Sequence, residues 1–396
     1  MAQASARPAA SAARRKNTGK PFLGLIDAVV VGVRSDYAFD GAITADDASA
    51  AWTWMARDLA PDLIDIEAIG DVPNNVAALE ALMPDLLARA RKALADAQTS
   101  ADTSRRIKTQ LGSEEAWERL PAVLNALRAR GLLEKAQSFG RAANGMGDEA
   151  ALALALQSMP LQDQSVASFL MMAAVGQVAA PSRLITAAIR IANSAAEPAL
   201  IRAGFGPLID ACFAHAQDQI PALSQQGTFS DMDLVCRSVD RFHRLVRAVM
   251  GYVELNRGSR WSVIAAGMTK AASERIDPKL RSVAPDLNMA MRRREGTDRV
   301  DGDQILSAMN GIYLLATVRD SRDSLAVNAV FDQVWAQTGQ ALEIHIERNL
   351  EALRRNPADS VSSARLDAAL KMAEVRFNLE YAETMRRAKD VAGRRS

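Results

Sequence analysis

The sequence predicts an all-α protein: an irregular array of short antiparallel helices, followed by a helical bundle with a long C-terminal helical hairpin. Three observations predict it. Almost every segment after residue 40 repeats its apolar residues at helical spacing. Strand-like alternation is nearly absent; the one ambiguous run, LIDAVVVGV over 25–33, is Val-rich and reads as strand or helix, but no partner strand is evident elsewhere. The connectors are short and carry Pro or Gly, as in helices that fold back on their neighbours.

Residues 1–20 make a basic tail, with Arg7, Arg14, Arg15, Lys16 and Lys20 and no acid before Asp27. It lacks the apolar stretch of a secretory signal and reads as a disordered, solvated tail. Its Ser/Ala/Arg bias leaves export or targeting as the alternative to a cytoplasmic chain. The N-terminal domain is placed at 21–226. Thr44 heads the helical pattern of 43–61, with Asp47 three residues on as a variant capping box. The next pattern, 76–97, sets Leu79, Leu82, Leu86 and Leu87 on one stripe, with Pro84 as a break or a new start. Two short helices divided near Gly131 follow, with a stop at Gly145, and then four segments that end with PALIRAGFGPLIDACFAHAQ. No fixed period links them, and neither the tetratricopeptide nor the ankyrin signature recurs.

The C-terminal domain is placed at 227–396, after the turn QQGTFS (225–230). One helix is expected from about Asp231 to Asn256, stopping at Gly258, and another from Arg260 to Ile276, stopping before Pro278. RRREGTDRVDGD (292–303) reads as a loop. Two long patterns then run from Arg322 to Asn356 and from Ser362 to Gly393, joined through Pro357 and Asp359. Each spans roughly 45–50 Å at 1.5 Å per residue, and the short link makes them the antiparallel hairpin 322–393.

Composition narrows the function. Lys+Arg 48 against Asp+Glu 47 leaves a net charge of +1, without the basic excess of a nucleic-acid binder, so nucleic acid is disfavoured. Aromatics at 5% also disfavour the stacking platforms of single-strand binders. The excess of arginine over lysine fits a GC-rich genome. Two cysteines are too few for a disulfide scaffold, and the longest apolar runs fall short of a bilayer span, so no transmembrane segment is predicted.

Four constellations invite a functional reading. In SVDRFHRLVRAVMGYVELNRGSRW (238–261), Val235, Val239, Phe242, Leu245, Val246, Val249 and Val253 share one arc, while Arg237, Arg241 and Arg244 lie opposite. Asp233 and Asp240 stand four residues before Arg237 and Arg244, the ordinary pairing of a wet helix face; a partner-binding stripe is the alternative. Cys212, His215, Cys236 and His243 suggest zinc, but residues seven apart are ~10.5 Å apart along a helix, too far to converge easily with two more ligands on one ion. In the hairpin, Thr338, His345 and Asn349 interrupt an apolar stripe that includes Trp335. Buried polar residues in a helical seam select register or partner. The basic ends, Arg14–Lys16, Arg386–Lys389 and Arg394–Arg395, offer an anionic-surface site, against a plain tail and a cation-rich helix terminus.

Enzyme signatures fail. There is no H-E-x-x-H, no P-loop, no completed G-x-G-x-x-G and no G-x-S-x-G, and EIHIER has the wrong spacing for a di-iron bundle. The paired aspartates of ADDAS lack a third acid. No catalytic, metal or cofactor residue is assigned, and no cofactor is expected. The leading expectation is a non-enzymatic interaction or assembly module with a protein partner or a second copy of itself. Thr338, His345, Asn349, Trp335, Arg237, Arg241 and Arg244 are the candidate interaction residues. An all-α enzyme without a linear motif, and an anionic-surface binder acting through the basic ends, are the alternatives.

Overall fold

Helical periodicity becomes helix over most of the described residues. The computed structural model describes residues 24–32, 37–64, 76–224, 231–292 and 299–393. The basic tail, the turn at 225–230, residues 293–298 of the loop at 292–303 and the final Arg394 and Arg395 lie outside them. Among the described residues there are sixteen α-helices and one two-stranded ladder. The fold is all-α, and no helix among the described residues is long and apolar enough to cross a membrane.

The ladder corrects the reading of 25–33. Asp27–Val29 forms a 3-10 turn, and Val30–Val31 pairs in parallel with Ile43–Thr44. Two residues per strand are too few to produce alternation. The partner strand is the extended approach to a helix, because Thr44 is its N-cap and accepts from the Asp47 amide at 3.1 Å.

The chain divides into two compact units: 1–218 with 244–262, and 219–243 with 263–396. In the N-terminal unit, α1 (Ala45–Trp54) continues into a π-helical turn at Met55–Leu59. Then come α2 (Val76–Thr99), α3 (Ala101–Leu111), α4 (Glu114–Arg128), α5 (Arg130–Ala143), α6 (Glu149–Gln157), α7 (Gln164–Gln177), α8 (Pro181–Ala192), α9 (Glu197–Arg202) and α10 (Gly206–Gln219). The tightest packing is α5 on α7. Gly140 permits it, since a Cβ there would overlap the Ala174 carbonyl. Asn144 ties the end of α5 to the end of α7, donating to the Gln177 carbonyl at 2.9 Å and accepting from the Ala179 amide at 2.8 Å. PALIRAGFGPLIDACFAHAQ is two helices, α9 and α10, parted at Gly204 with φ +85°.

Helix α11 (Met232–Met250) and α12 (Arg260–Met291) each contribute residues to both units. The C-terminal unit adds α13 (Gly302–Arg319), α14 (Asn328–Arg355), α15 (Ser360–Arg376) and α16 (Leu379–Gly393).

Four boundary expectations are corrected. Pro84 lies inside α2 without breaking it, and Pro278 and Pro285 lie inside α12, which runs fifteen residues past Ile276. All three prolines are exposed. A lost i→i−4 bond on the wet side of a helix is compensated by water, so the helix continues instead of ending. Helix α11 ends at Met250, before Asn256, where the chain turns through Gly251 and Gly258. The second hairpin arm is two helices. Phe377 leaves helical geometry at φ −106°, ψ −84°, and Asn378 caps α16 by accepting from the Tyr381 amide at 2.8 Å. An Asn side chain that competes for backbone donors is sufficient to restart a helix at a position where periodicity continues unbroken.

Candidate functional site

Along α14, Trp335, Thr338, Leu342, His345 and Asn349 recur at spacings of three and four, the seam of a helix that packs along its length. Ser362, Leu366, Ala369, Ala373 and Arg376 recur in the same way on α15, and all five are buried. The hairpin therefore closes on two heptad-like stripes, and arginine occupies the last core position of the second.

Arg376 is 8% exposed. Its guanidinium lies 3.5 Å from the Trp335 ring centroid and 5.2 Å from that of Phe377. Its Nε donates to Thr338 Oγ1 at 3.3 Å, and Nη2 donates to the Trp335 carbonyl. Gly339 makes room, since a Cβ there would stand 2.9 Å from Nη2. Thr338 is fully buried, and its hydroxyl donates back to the carbonyls of Val334 at 2.8 Å and Trp335 at 3.1 Å. Among the described residues no carboxylate forms an ion pair with Arg376. Burial pushes its pKa down to about 10, with Glu343 opposing the shift and Arg319 adding to it.

The half-buried Trp335 carries more than this one cation. Arg319 stands 5.9 Å from its ring, with its side chain 53% exposed and paired to Asp320 at 3.1 Å. Trp335 also stacks on Phe331 at 5.3 Å between centroids, and Arg322 covers Phe331 at 5.4 Å. Three arginines and two aromatic rings thus form one continuous ladder.

His345 and Asn349 form a second polar cluster, two turns along α14. Asn349 donates to the His345 carbonyl at 2.7 Å. His345 Nε2 bonds Asn288 Oδ1 of α12 at 3.0 Å; an amide oxygen only accepts, so Nε2 carries the proton. Burial holds the His345 pKa below the ordinary histidine value, and Arg348 and Arg365 add to the shift. Asn288 also lines an open groove of about 490 Å³ between α12 and α14, together with Gln337, Gln340, Ala341 and Ile344.

The arginine stripe on α11 is wetter. Arg237 and Arg244 are exposed and Arg241 is half-buried. Arg237 pairs with Asp233 at 2.9 Å, and Arg244 Nη1 reaches the Ala179 carbonyl at 3.4 Å. The zinc candidates are engaged singly. His215 Nε2 bonds the Met172 carbonyl at 2.8 Å, His243 Nδ1 bonds Ser324 Oγ at 3.0 Å, and Cys212 is buried. Among the described residues no three His, Cys, Asp or Glu side chains gather to hold a metal ion. The cations of 386–389 face acids: Arg386 pairs with Glu374 at 2.6 Å, Arg387 with Glu383 at 4.0 Å and Lys389 with Asp367 at 2.5 Å.

The structure thus joins Trp335 and Thr338 through Arg376, and His345 and Asn349 through Asn288. Sequence reasoning missed Arg376 and Asn288. Arg376 had a legible signal: it is the next step of the stripe 366, 369, 373, 376. No protein-family model, curated protein or solved structure matches the chain.

Proposed function

We propose that the chain is a non-enzymatic interaction or assembly module whose protein partner docks on the C-terminal unit along α14. One observation carries the reading: Arg376 is buried with no carboxylate paired to it among the described residues. A cation withdrawn from water without an opposite charge is costly, and an acidic group brought by a partner would offset that cost. Trp and Arg are the residue types that most often anchor interfaces. Here Trp335 is half-buried, with the accessible Arg319 above it. The neighbouring groove supports the same reading. Gln337 and Gln340 offer amide donors and acceptors for a peptide backbone beside the apolar Ala341 and Ile344.

The test is affinity co-purification of the full chain from its native cell, comparing wild type with Arg319→Glu and Trp335→Ala, alongside sedimentation of the purified proteins. Both variants are expected to lose a defined set of proteins that the wild type retains. If the partner is a second copy, the wild type sediments as an oligomer and Arg319→Glu as a monomer. An unchanged protein set together with unchanged sedimentation refutes the proposal.

A further inference from the structure

A second surface lies in the N-terminal unit, and it does not rest on the reading of α14. Helices α2 and α4 border a groove of about 150 Å³, the size of a cavity that accepts a benzene ring. Leu87, Leu94 and Leu124 give it an apolar lining; Arg91 and Arg128 stand at its edge, with Asn125 between them in sequence space and half-buried.

Charge pairing differs between the groove arginines and their near neighbours in the chain. Arg89 and Arg130, each two residues from a groove arginine, are committed to cross-element ion pairs: Arg89 with Asp62 at 2.5 Å and Arg130 with Glu80 at 2.6 Å. Arg91 and Arg128, which line the groove, form no ion pair among the described residues. Arg128 acts on Asp163 only through space, as a lesser contribution to that carboxyl's lowered pKa. The Asn125 side-chain amide also makes no hydrogen bond within the protein among the described residues. Two cations without an ion pair and one amide without a hydrogen bond, among the described residues, therefore border an apolar slot of about 150 Å³.

We infer that this groove binds an acidic peptide segment of a partner protein, seating one large apolar side chain among Leu87, Leu94 and Leu124 while flanking carboxylates pair with Arg91 and Arg128. Charge complementarity chooses the occupant. A neutral apolar segment would leave both guanidiniums unused, and a basic one would be repelled. Asn125 can accept from and donate to the peptide backbone beside the buried side chain.

The experiment uses the full chain and a fluorescein-labelled peptide, Asp-Glu-Phe-Asp-Glu, read by fluorescence anisotropy. Binding is expected to weaken with salt. Arg91→Gln and Arg128→Gln should each weaken it about twofold to fivefold, whereas Lys92→Gln, at an exposed cation of α2 outside the groove, leaves it unchanged. Replacing the phenylalanine of the peptide by glycine, or its acids by amides, should abolish binding. No detectable binding overturns the inference. So does a loss as large in Lys92→Gln as in Arg91→Gln, which means diffuse charge. So does binding of phosphatidylserine vesicles that depends on Arg91 and Arg128 where the peptide fails, which means a lipid surface. Variants of Arg319 and Trp335 are expected to bind the peptide as the wild type does, so this result and the α14 proposal stand or fall separately.

Discussion

Replacing Gly339 by alanine should destabilise the C-terminal unit, although the same change at an exposed helix position stabilises by ~1 kcal/mol. Gly339 is buried on α14, and a new Cβ would stand 2.9 Å from Arg376 Nη2, 3.5 Å from its Cζ and 3.6 Å from Phe377 Cε1. The guanidinium cannot swing away freely, because Trp335 covers its face at 3.5 Å and Thr338 holds its Nε. Displacing it breaks the bond from Nη2 to the Trp335 carbonyl, worth ~1.5–3 kcal/mol for a charged donor. It also loosens the cation–π stack, worth ~0.5–2 kcal/mol. Set against the ~1 kcal/mol helix gain, the net loss is about 1–4 kcal/mol. The assay is native-state hydrogen exchange on peptides from α14 and α15, which reads local opening without requiring the whole chain to unfold in one step. In an Arg376→Met background the clash and the bond are both gone, so Gly339→Ala should recover its ordinary gain, a coupling of about 2–5 kcal/mol. Equal or greater protection in Gly339→Ala, or strict additivity with Arg376→Met, would refute the account of Arg376 as a pinned group.

Three further outcomes follow from the same geometry. His345 has a folded-state pKa below its unfolded value, so its contribution to stability is complete above about pH 6.5. It is lost as pH falls from there toward the folded pKa, because the unfolded chain binds the proton first. His345→Asn should therefore flatten the decline in stability between about pH 7 and pH 5, measured as urea midpoints across that range; identical slopes would remove His345 as the cause. Asn378→Ala should raise exchange in the first turn of α16 by the equivalent of ~0.5–2 kcal/mol, the usual worth of an N-cap, and unaltered protection there would show that the cap is not what restarts the helix. Asn144→Ala removes both bonds between the ends of α5 and α7, so their adjoining turns should open more readily by ~1–2 kcal/mol, with no change in α14 as the internal control.

Local chemistry was the legible part of this protein. Thr44 caps α1 through Asp47, as its spacing indicates, and the apolar arc of Val235, Val239, Phe242, Leu245, Val246 and Val249 on α11 is fully buried. The Asp233–Arg237 pair forms on the wet side. Features that depend on which side of a helix meets water were less legible. A proline in the sequence signals a break, yet Pro84, Pro278 and Pro285 only interrupt one bond each, because each lies on an exposed face. Asn378 shows the converse, since an unbroken apolar period conceals a side chain that captures a backbone donor.

The candidate site divides along the same line. The sequence determined by itself that polar residues Thr338, His345 and Asn349 interrupt an apolar seam, because that is a matter of period along one helix. What each one meets was decided only by tertiary structure. Arg376 lies 38 residues from Thr338 and Asn288 lies 57 from His345 in the chain, and no periodicity within one helix specifies its partner on another. Whether Arg376 would stay in water or bury itself depended on a tryptophan face, a glycine without a Cβ and two acceptors converging on one point. An arginine in a core stripe is ordinarily read as a surface residue. Only that convergence made a buried, uncompensated cation the physically distinctive group of the protein.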